Sequence, residues 1–289
     1  MKRILVTGAS GQLGKCIQNI SNEFKDLNFL FTDREELDIT NIAGLKKVVE
    51  NNRISHIINC AAYTAVDLAE SNEKAAVKIN SEALAVLAKV SSENDVELFH
   101  ISTDFVFDGA KVSPYLESDT PNPLGVYGSS KLRGELAITK RWHKHFIIRT
   151  SWLYSEFGNN FMKTMLRLGF EREELGVVSD QFGAPTYAKT LAKVILTIIV
   201  NNNSDYGLFH FSNKGETSWY GFAKSIFELS NINIHLSPIK TEEYPTPAKR
   251  PAYSVLNTEK IQSFMDFEIP HWHEDLKLAL NNLERINTN

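Results

Sequence analysis

Tyr127 and Lys131 are four residues apart in the stretch Tyr127-Gly128-Ser129-Ser130-Lys131. On a helix, that spacing puts both side chains on one face. An ammonium beside a phenol favours the phenolate and lowers the phenol's pKa. A tyrosine tuned in this way can pass a proton to or from an alcohol or sugar oxygen near neutral pH. The same two residues also suit the start of an ordinary surface helix, so the pair gains meaning only beside other signals. One of these is Ser102-Thr103-Asp104, which ends the β-rich run beginning at Glu97. In an open parallel sheet, ligands sit outside the carboxyl ends of the strands, where Thr103 could hydrogen-bond a substrate oxygen. His100, inside the same run, reads as a packed core histidine.

A second signal opens the chain. Ile4-Leu5-Val6-Thr7 reads as a short buried strand, followed at once by Gly8-Ala9-Ser10-Gly11-Gln12-Leu13-Gly14 and a helix from Gln12 to about Ser21. Glycines there let the backbone turn tightly and approach a pyrophosphate. The helix start supplies free N–H groups and a positive dipole end. A strand over 28–32 follows, with Asp33 at its end. An acid there can bond the adenosine ribose hydroxyls, as in NAD binding, whereas Arg34 next to it could hold the extra phosphate of NADP. NADH and NADPH therefore both stay open. Asp38 could lie near the adenine or serve the turn before a helix that Thr40 would cap. The strand 56–62 ends in small residues, Ala61 and Ala62, that would let a cofactor lie close to the backbone. A loop through Tyr63, Thr64 and Val66 leads to a helix over about 72–94, in which Asn80 could be exposed or could brace the site.

Strands alternating with helices predict a right-handed, doubly wound parallel sheet. A helix over about 127–139 and a strand over 146–151, ending near Trp152, continue it. Beyond residue 152 the order loosens. Helices are expected over 160–168, 188–200, 219–229 (capped by Ser218) and 272–285. Strands are expected over 176–179 and 207–211, and Pro238 to Pro251 reads as an ordered loop. The expected fold class is α/β. A Rossmann-like NAD(P)-binding domain occupies mainly 1–151 and a smaller substrate-binding α/β region mainly 152–289, with some interchange of chain between them.

The composition fits an ordinary globular protein. The 289 residues are 43% hydrophobic and 23% charged. A net charge of −4 gives no basic field for nucleic acid or an anionic membrane. Cys16 and Cys60 are too few for a disulfide framework and form no metal-ligand spacing, which fits a reducing, cytoplasmic setting. The basic start Met1-Lys2-Arg3 precedes an apolar run too short for a signal peptide or a membrane span. No metal motif is present, and a homodimer and an interface Mg²⁺ held by scattered Glu residues are left open.

Together these stretches resemble the extended short-chain dehydrogenase/reductase superfamily and, within it, the dTDP-4-dehydrorhamnose reductase family. The resembling segments are Thr7 to Gly14, NCAAYTAVD from Asn59, STDFVFDG from Ser102, YGSSKLRGE from Tyr127, RTSWLY from Arg149, DQFGAPT from Asp180, and Arg250-Pro251 with Ser254 and Leu256. The resemblance implies hydride transfer from NAD(P)H to the C4 keto carbon of a dTDP-linked deoxysugar. It makes Tyr127 the proton donor, and it gives Lys131 the tuning of that tyrosine and a hold on the nicotinamide ribose. Thr103, with Asp104 beside it, would bond the sugar oxygen. Gly8, Gly11, Gln12, Leu13, Gly14, Asp33, Arg34, Asp38, Ile39, Ala61, Ala62 and Tyr63 would line the cofactor, and Thr64, Val66 and Trp152 the sugar. Phe105 stands where this family usually has tyrosine. The substitution keeps open a reductase or epimerase of another nucleotide-linked deoxysugar. A non-catalytic regulatory subunit of the same fold is a third reading.

Overall fold

The computed structural model describes residues 1–265 and 268–288. Its central sheet has six strands in the order Gly207–His210, His145–Thr150, Glu97–Thr103, His56–Asn59, Lys2–Thr7 and Leu27–Thr32. Every neighbouring pair runs parallel. The chain moves outward from Lys2–Thr7 in one direction, then returns to build the other side beginning with His56–Asn59. At such a reversal the connecting loops part and leave a crevice above the strand ends.

The two faces of this sheet follow from alternation along each strand. Ile4, Val6, Ile58, Phe99, Phe146 and Ile148 pack with the helices Gln12–Ile20 and Ala188–Val200. Their neighbours Leu5, Ile57, Leu98 and Ile147 pack on the opposite side with Ile42–Asn51, Ala83–Glu93 and Val126–Arg141. A parallel strand covered on both faces must be apolar at consecutive positions, and these strands are.

A separate apolar cluster lies beyond the sheet. Met162 and Met165 of Phe161–Glu171 meet Phe222, Ile226 and Phe227 of Trp219–Leu229 and Trp272, Leu276 and Leu280 of Trp272–Thr288. Three short strand pairs border it: Glu174–Val178 with His235–Ile239, Phe182–Gly183 with Thr217–Ser218, and Leu153–Tyr154 with Thr186–Tyr187. Ala188–Val200 and Gly207–His210 lie between these segments in sequence but belong to the large sheet.

Three local expectations change. Asn41, not Thr40, caps Ile42–Asn51 by accepting from the Gly44 N–H, while the Thr40 hydroxyl donates to Asp38. The single helix expected over 72–94 is broken into Val66–Ser71, Glu73–Val77, a wide π-turn Lys78–Glu82 and Ala83–Glu93. The π-turn lies against helix Val126–Arg141, where a Cβ on Gly134 would sit 2.1 Å from the Asn80 carbonyl oxygen. The segment read as loop from Pro238 begins inside the strand His235–Ile239, whose partner Glu174–Val178 is distant in sequence.

Candidate active site

Helix Val126–Arg141 carries Tyr127 and is pinned to the sheet at three places. At Gly128 a side chain would bring a Cβ to 2.1 Å from the Phe105 carbonyl oxygen, so glycine lets the helix start close against the turn after Glu97–Thr103. One turn further, Lys131 Nζ donates to the Ile101 carbonyl at 2.5 Å and lies 3.3 Å from His100 Nε2. After another turn, Glu135 accepts from the Ser102 hydroxyl at 2.5 Å and from Arg149 through Nε at 2.9 Å and Nη2 at 2.7 Å. Both members of the Glu135–Arg149 pair are buried, so each charge depends on the other.

This docking brings Tyr127 beside Thr103 and Asp104. The Thr103 hydroxyl accepts from the Phe105 N–H, donates to Asp104 at 3.1 Å and bonds the phenol. The phenol hydroxyl lies deep, and burial pushes it up to about 12, opposed by the Thr103 bond and helped by the Asp104 charge. Burial likewise pushes Asp104 up to about 6, and its Oδ2 has no hydrogen-bond partner. Lys131 is pulled down to about 8 by burial, with Glu135 acting the other way. In the protein alone, burial, the Thr103 bond and the Asp104 charge act on the Tyr127 phenol, while Lys131 is held one turn away on the sheet. Phe105 meets the Tyr127 ring edge-on, with centroids 5.6 Å apart.

These groups line one end of a cleft of about 1170 Å³. Gly8, Gly11, Gln12 and Leu13 line its floor, Asp33, Arg34, Asp38 and Ile39 its far end, and Ala61, Ala62 and Tyr63 its side. Thr64, Val66, Thr103, Asp104, Tyr127, Lys131 and Trp152 complete the expected set. Gly14 is the exception. A Cβ there would meet Ala9 and the Gly8 carbonyl at 2.6 Å, so Gly14 serves the packing of helix against loop. Gly8 adopts φ +65°, and a Cβ on it would lie 2.7 Å from the Ala61 N. The loop thus keeps its backbone bare at the sheet reversal, and helix Gln12–Ile20 begins with no side-chain cap on its N–H groups. That cradle fits the diphosphate of a dinucleotide.

Several expected residues have local duties as well. Asp33 accepts from the Ser10 N–H at 2.9 Å, bracing the glycine loop. Asp38 accepts from the Thr40 N–H and hydroxyl, and these bonds hold its carboxyl below the usual range. Gln12 accepts from Ser155 and Asn160, tying the loop to the segment after Trp152. Asn80 is fully buried and braces the site: it accepts from the Tyr63 N–H, and donates to the Tyr63 carbonyl and to Ser130.

The other wall comes from distant parts of the chain. Trp152, at φ +46°, stacks on Trp219 with centroids 3.5 Å apart and planes within 10°. Gly183 makes room for this, since a Cβ there would lie 2.5 Å from the Trp152 indole. Ser151 donates to the Ala184 carbonyl, joining RTSWLY to DQFGAPT. Arg250 lines the cleft and pairs with Asp67 at 2.7 Å, joining the C-terminal segment to the loop after His56–Asn59. Trp219, Phe161 and Lys78 also line the cleft and escaped the sequence reading. Trp219 carried only the signature of a helix start after Ser218, which says nothing about its stacking partner.

The whole architecture has relatives. The family model described as RmlD substrate binding domain matches residues 1–285. A dTDP-4-dehydrorhamnose reductase of Aggregatibacter actinomycetemcomitans is 41% identical over 288 residues, covering 96% of this chain and 98% of its own. The crystal structure of a dTDP-4-dehydrorhamnose reductase from Clostridium acetobutylicum is 42% identical, with a TM-score of 0.93 over 98% of this chain and 99% of its own. Another, from Bacillus anthracis and in complex with NADP, is 42% identical with a TM-score of 0.94, covering 98% of this chain and 100% of its own. With a near-complete family match, close relatives and a shared fold, the chain belongs to the dTDP-4-dehydrorhamnose reductase family.

Proposed function

We propose that this protein reduces the C4 keto group of dTDP-4-dehydro-L-rhamnose with NAD(P)H, giving dTDP-L-rhamnose. The observation that carries this reading is one cleft with the bare glycine loop at one end and Thr103, Tyr127 and Lys131 at the other. The dinucleotide supplies a hydride to C4 when bound. Gly8, Gly11, Gln12 and Leu13 hold its diphosphate, Asp33, Arg34, Asp38 and Ile39 surround its adenosine end, and Ala61, Ala62 and Tyr63 flank its middle. On this assignment residues 1–151 mainly bind cofactor and 152–289 mainly bind sugar nucleotide. A homodimer would be compatible with this assignment.

Tyr127 gives its proton to the C4 oxygen as negative charge develops there. A phenol pushed up to about 12 is protonated at neutral pH, the state a donor needs. Thr103 bonds the same oxygen and orients it. Lys131 holds the ribose with its remaining hydrogen-bonding capacity, and takes on charge more readily once Tyr127 has lost its proton. Asp104, with one buried oxygen unpartnered, accepts from a hydroxyl of the sugar. Thr64, Val66 and the Trp152 indole enclose the sugar ring.

The test is reduction of enzymatically made dTDP-4-dehydro-L-rhamnose, followed as loss of NADPH or NADH absorbance. Turnover is expected with at least one of them. No turnover from folded protein that still binds a dinucleotide would overturn the substrate assignment.

A further inference from the structure

Among the described residues, four cationic side chains line the cleft: Arg34, Lys78, Lys131 and Arg250. Two of them are engaged by the protein itself. Arg250 pairs with Asp67 at 2.7 Å, and Lys131 is buried against the Ile101 carbonyl. Arg34 and Lys78 are exposed, and among the described residues neither side chain forms an ion pair or a hydrogen bond. They reach the same end of the cleft from distant parts of the chain. Arg34 follows the edge strand Leu27–Thr32 and Asp33, whereas Lys78 opens the π-turn Lys78–Glu82. Asp38 marks where they converge: Thr40 holds its carboxyl low, and the charges of Lys78 and Arg34 pull the same way more weakly. The π-turn fixes the root of Lys78, because Asn80 two residues on is bonded to Tyr63 and Ser130. The ammonium itself is left free to swing into the cleft.

This end of the cleft receives the adenosine half of the dinucleotide, and there NADPH differs from NADH by a single group. The 2′-phosphate carries roughly two negative charges near neutral pH, where NADH has an uncharged hydroxyl. Two unpaired cations suit the phosphate. The guanidinium can grip two of its oxygens with parallel N–H bonds, and the ammonium adds a point charge from the other side. A hydroxyl would leave both cations without a counter-charge. Asp33 reads at first as the opposite signal, since an acid there suits a free ribose. Its Oδ1, however, accepts from the Ser10 N–H at 2.9 Å, and its own N–H donates to Glu36 at 2.8 Å. Asp33 thus has a duty in bracing the glycine loop whichever dinucleotide is bound. Asp38 is likewise taken up by the Thr40 N–H and hydroxyl.

We propose that Lys78, carried into the cleft by the π-turn, completes with Arg34 a two-cation site for the 2′-phosphate of NADPH, and that this protein binds NADPH in preference to NADH. Lys78 is on this reading a specificity-determining residue. The proposal rests on the dinucleotide lying in the cleft as assigned above, and it is independent of which sugar is reduced. Because the two cations stand on separate segments, each adds its own share to the preference. Both are exposed to solvent, so the preference weakens as salt screens them.

Calorimetric titration of the full chain with NADPH and NADH, without any sugar, tests this directly. The wild-type protein should bind NADPH roughly tenfold or more tightly than NADH at low salt, as expected for charge-assisted bonds to a phosphate. Lys78→Met should weaken NADPH binding roughly tenfold and change NADH binding less than about twofold, while Lys78→Arg should keep most of the preference. Arg34→Gln should behave as Lys78→Met does. Titration with adenosine 2′,5′-bisphosphate and with AMP isolates the same difference on the adenosine half alone. Equal affinity of the wild-type protein for the two dinucleotides would overturn the proposal. So would a Lys78→Met loss of the same size for both, which would make Lys78 a general wall of the cleft. A protein that binds neither dinucleotide would defeat the cofactor reading and this site with it. One that prefers NADPH as expected but reduces no 4-keto sugar nucleotide would defeat the substrate assignment and leave the site standing.

Discussion

The two walls of the cleft are built in different ways. The wall formed by the glycine loop, the strand ends and helix Val126–Arg141 is assembled on one parallel sheet, whose register puts Thr7, Asn59 and His100 in a row. The wall opposite is assembled from short pieces: Trp152 at a strained φ, Trp219 stacked on it, Gly183 behind it, and Arg250 latched to Asp67. On the first wall, hydrogen bonds of fixed direction set atoms to within tenths of an ångström, as proton and hydride transfer require. On the second, aromatic packing sets shape, which suits recognition of a ring. On the proposed function, chemistry would rest on the rigid repeat and specificity on the irregular remainder.

Substitutions on the two walls should therefore separate turnover from sugar binding. Tyr127→Phe is expected to cut kcat by roughly 10²–10⁴-fold, with dinucleotide affinity unchanged in a fluorescence titration. Near-wild-type turnover would remove Tyr127 as proton donor. Lys131→Ala should lower kcat by about 10²-fold and also weaken dinucleotide binding. An unchanged cofactor Kd would rule out the ribose contact. Trp219→Ala, on the opposite wall, should raise KM for the sugar nucleotide roughly tenfold through loss of the stacked platform, with little change in cofactor Kd. If cofactor binding fell as much as sugar binding, the distinction between the walls would fail.

Asp104→Asn tests the same boundary through stability. Burial raises the folded pKa of Asp104 to about 6, above its unfolded value of about 4. Its contribution is therefore fully present below the unfolded pKa and is lost as pH rises through about 6. At neutral pH the buried carboxylate is a burden, of order 3 kcal/mol. Asp104→Asn should raise the melting temperature at neutral pH and lose that advantage as pH falls toward about 4. A melting-temperature gain that grew on acidification would contradict the assignment. The smallest effect is expected from Phe105→Tyr. A hydroxyl added to the ring that meets Tyr127 edge-on should improve KM for the dTDP-linked sugar by a few-fold at most, worth about 1 kcal/mol. A marked loss of activity would mean the pocket is shaped for another sugar.

Much of the first wall is legible in one dimension because its signals are local. A strand, a glycine loop and a helix start follow one another in sequence, and the apolar runs declare strands covered on both faces. Asn80 illustrates the limit. Its polarity inside a helical stretch left bracing and exposure equally open, and only the approach of Gly134 and Ser130 shows it buried in a π-turn. The hold of the sheet on Lys131 was also out of reach: spacing put Lys131 on the face of Tyr127, and only the packing shows its Nζ held by the Ile101 carbonyl and beside His100.

By itself the sequence determined the alternation of strands and helices, the place of the glycine loop and the residues with chemistry to offer, because periodicity and turn propensity act between near neighbours. Tertiary structure alone decided which of those residues meet. Trp219 reaches Trp152, Arg250 reaches Asp67, and His100 stands between Asn59 and Lys131. Such pairings depend on strand register and on the packing of segments far apart in the chain, and no local propensity encodes either.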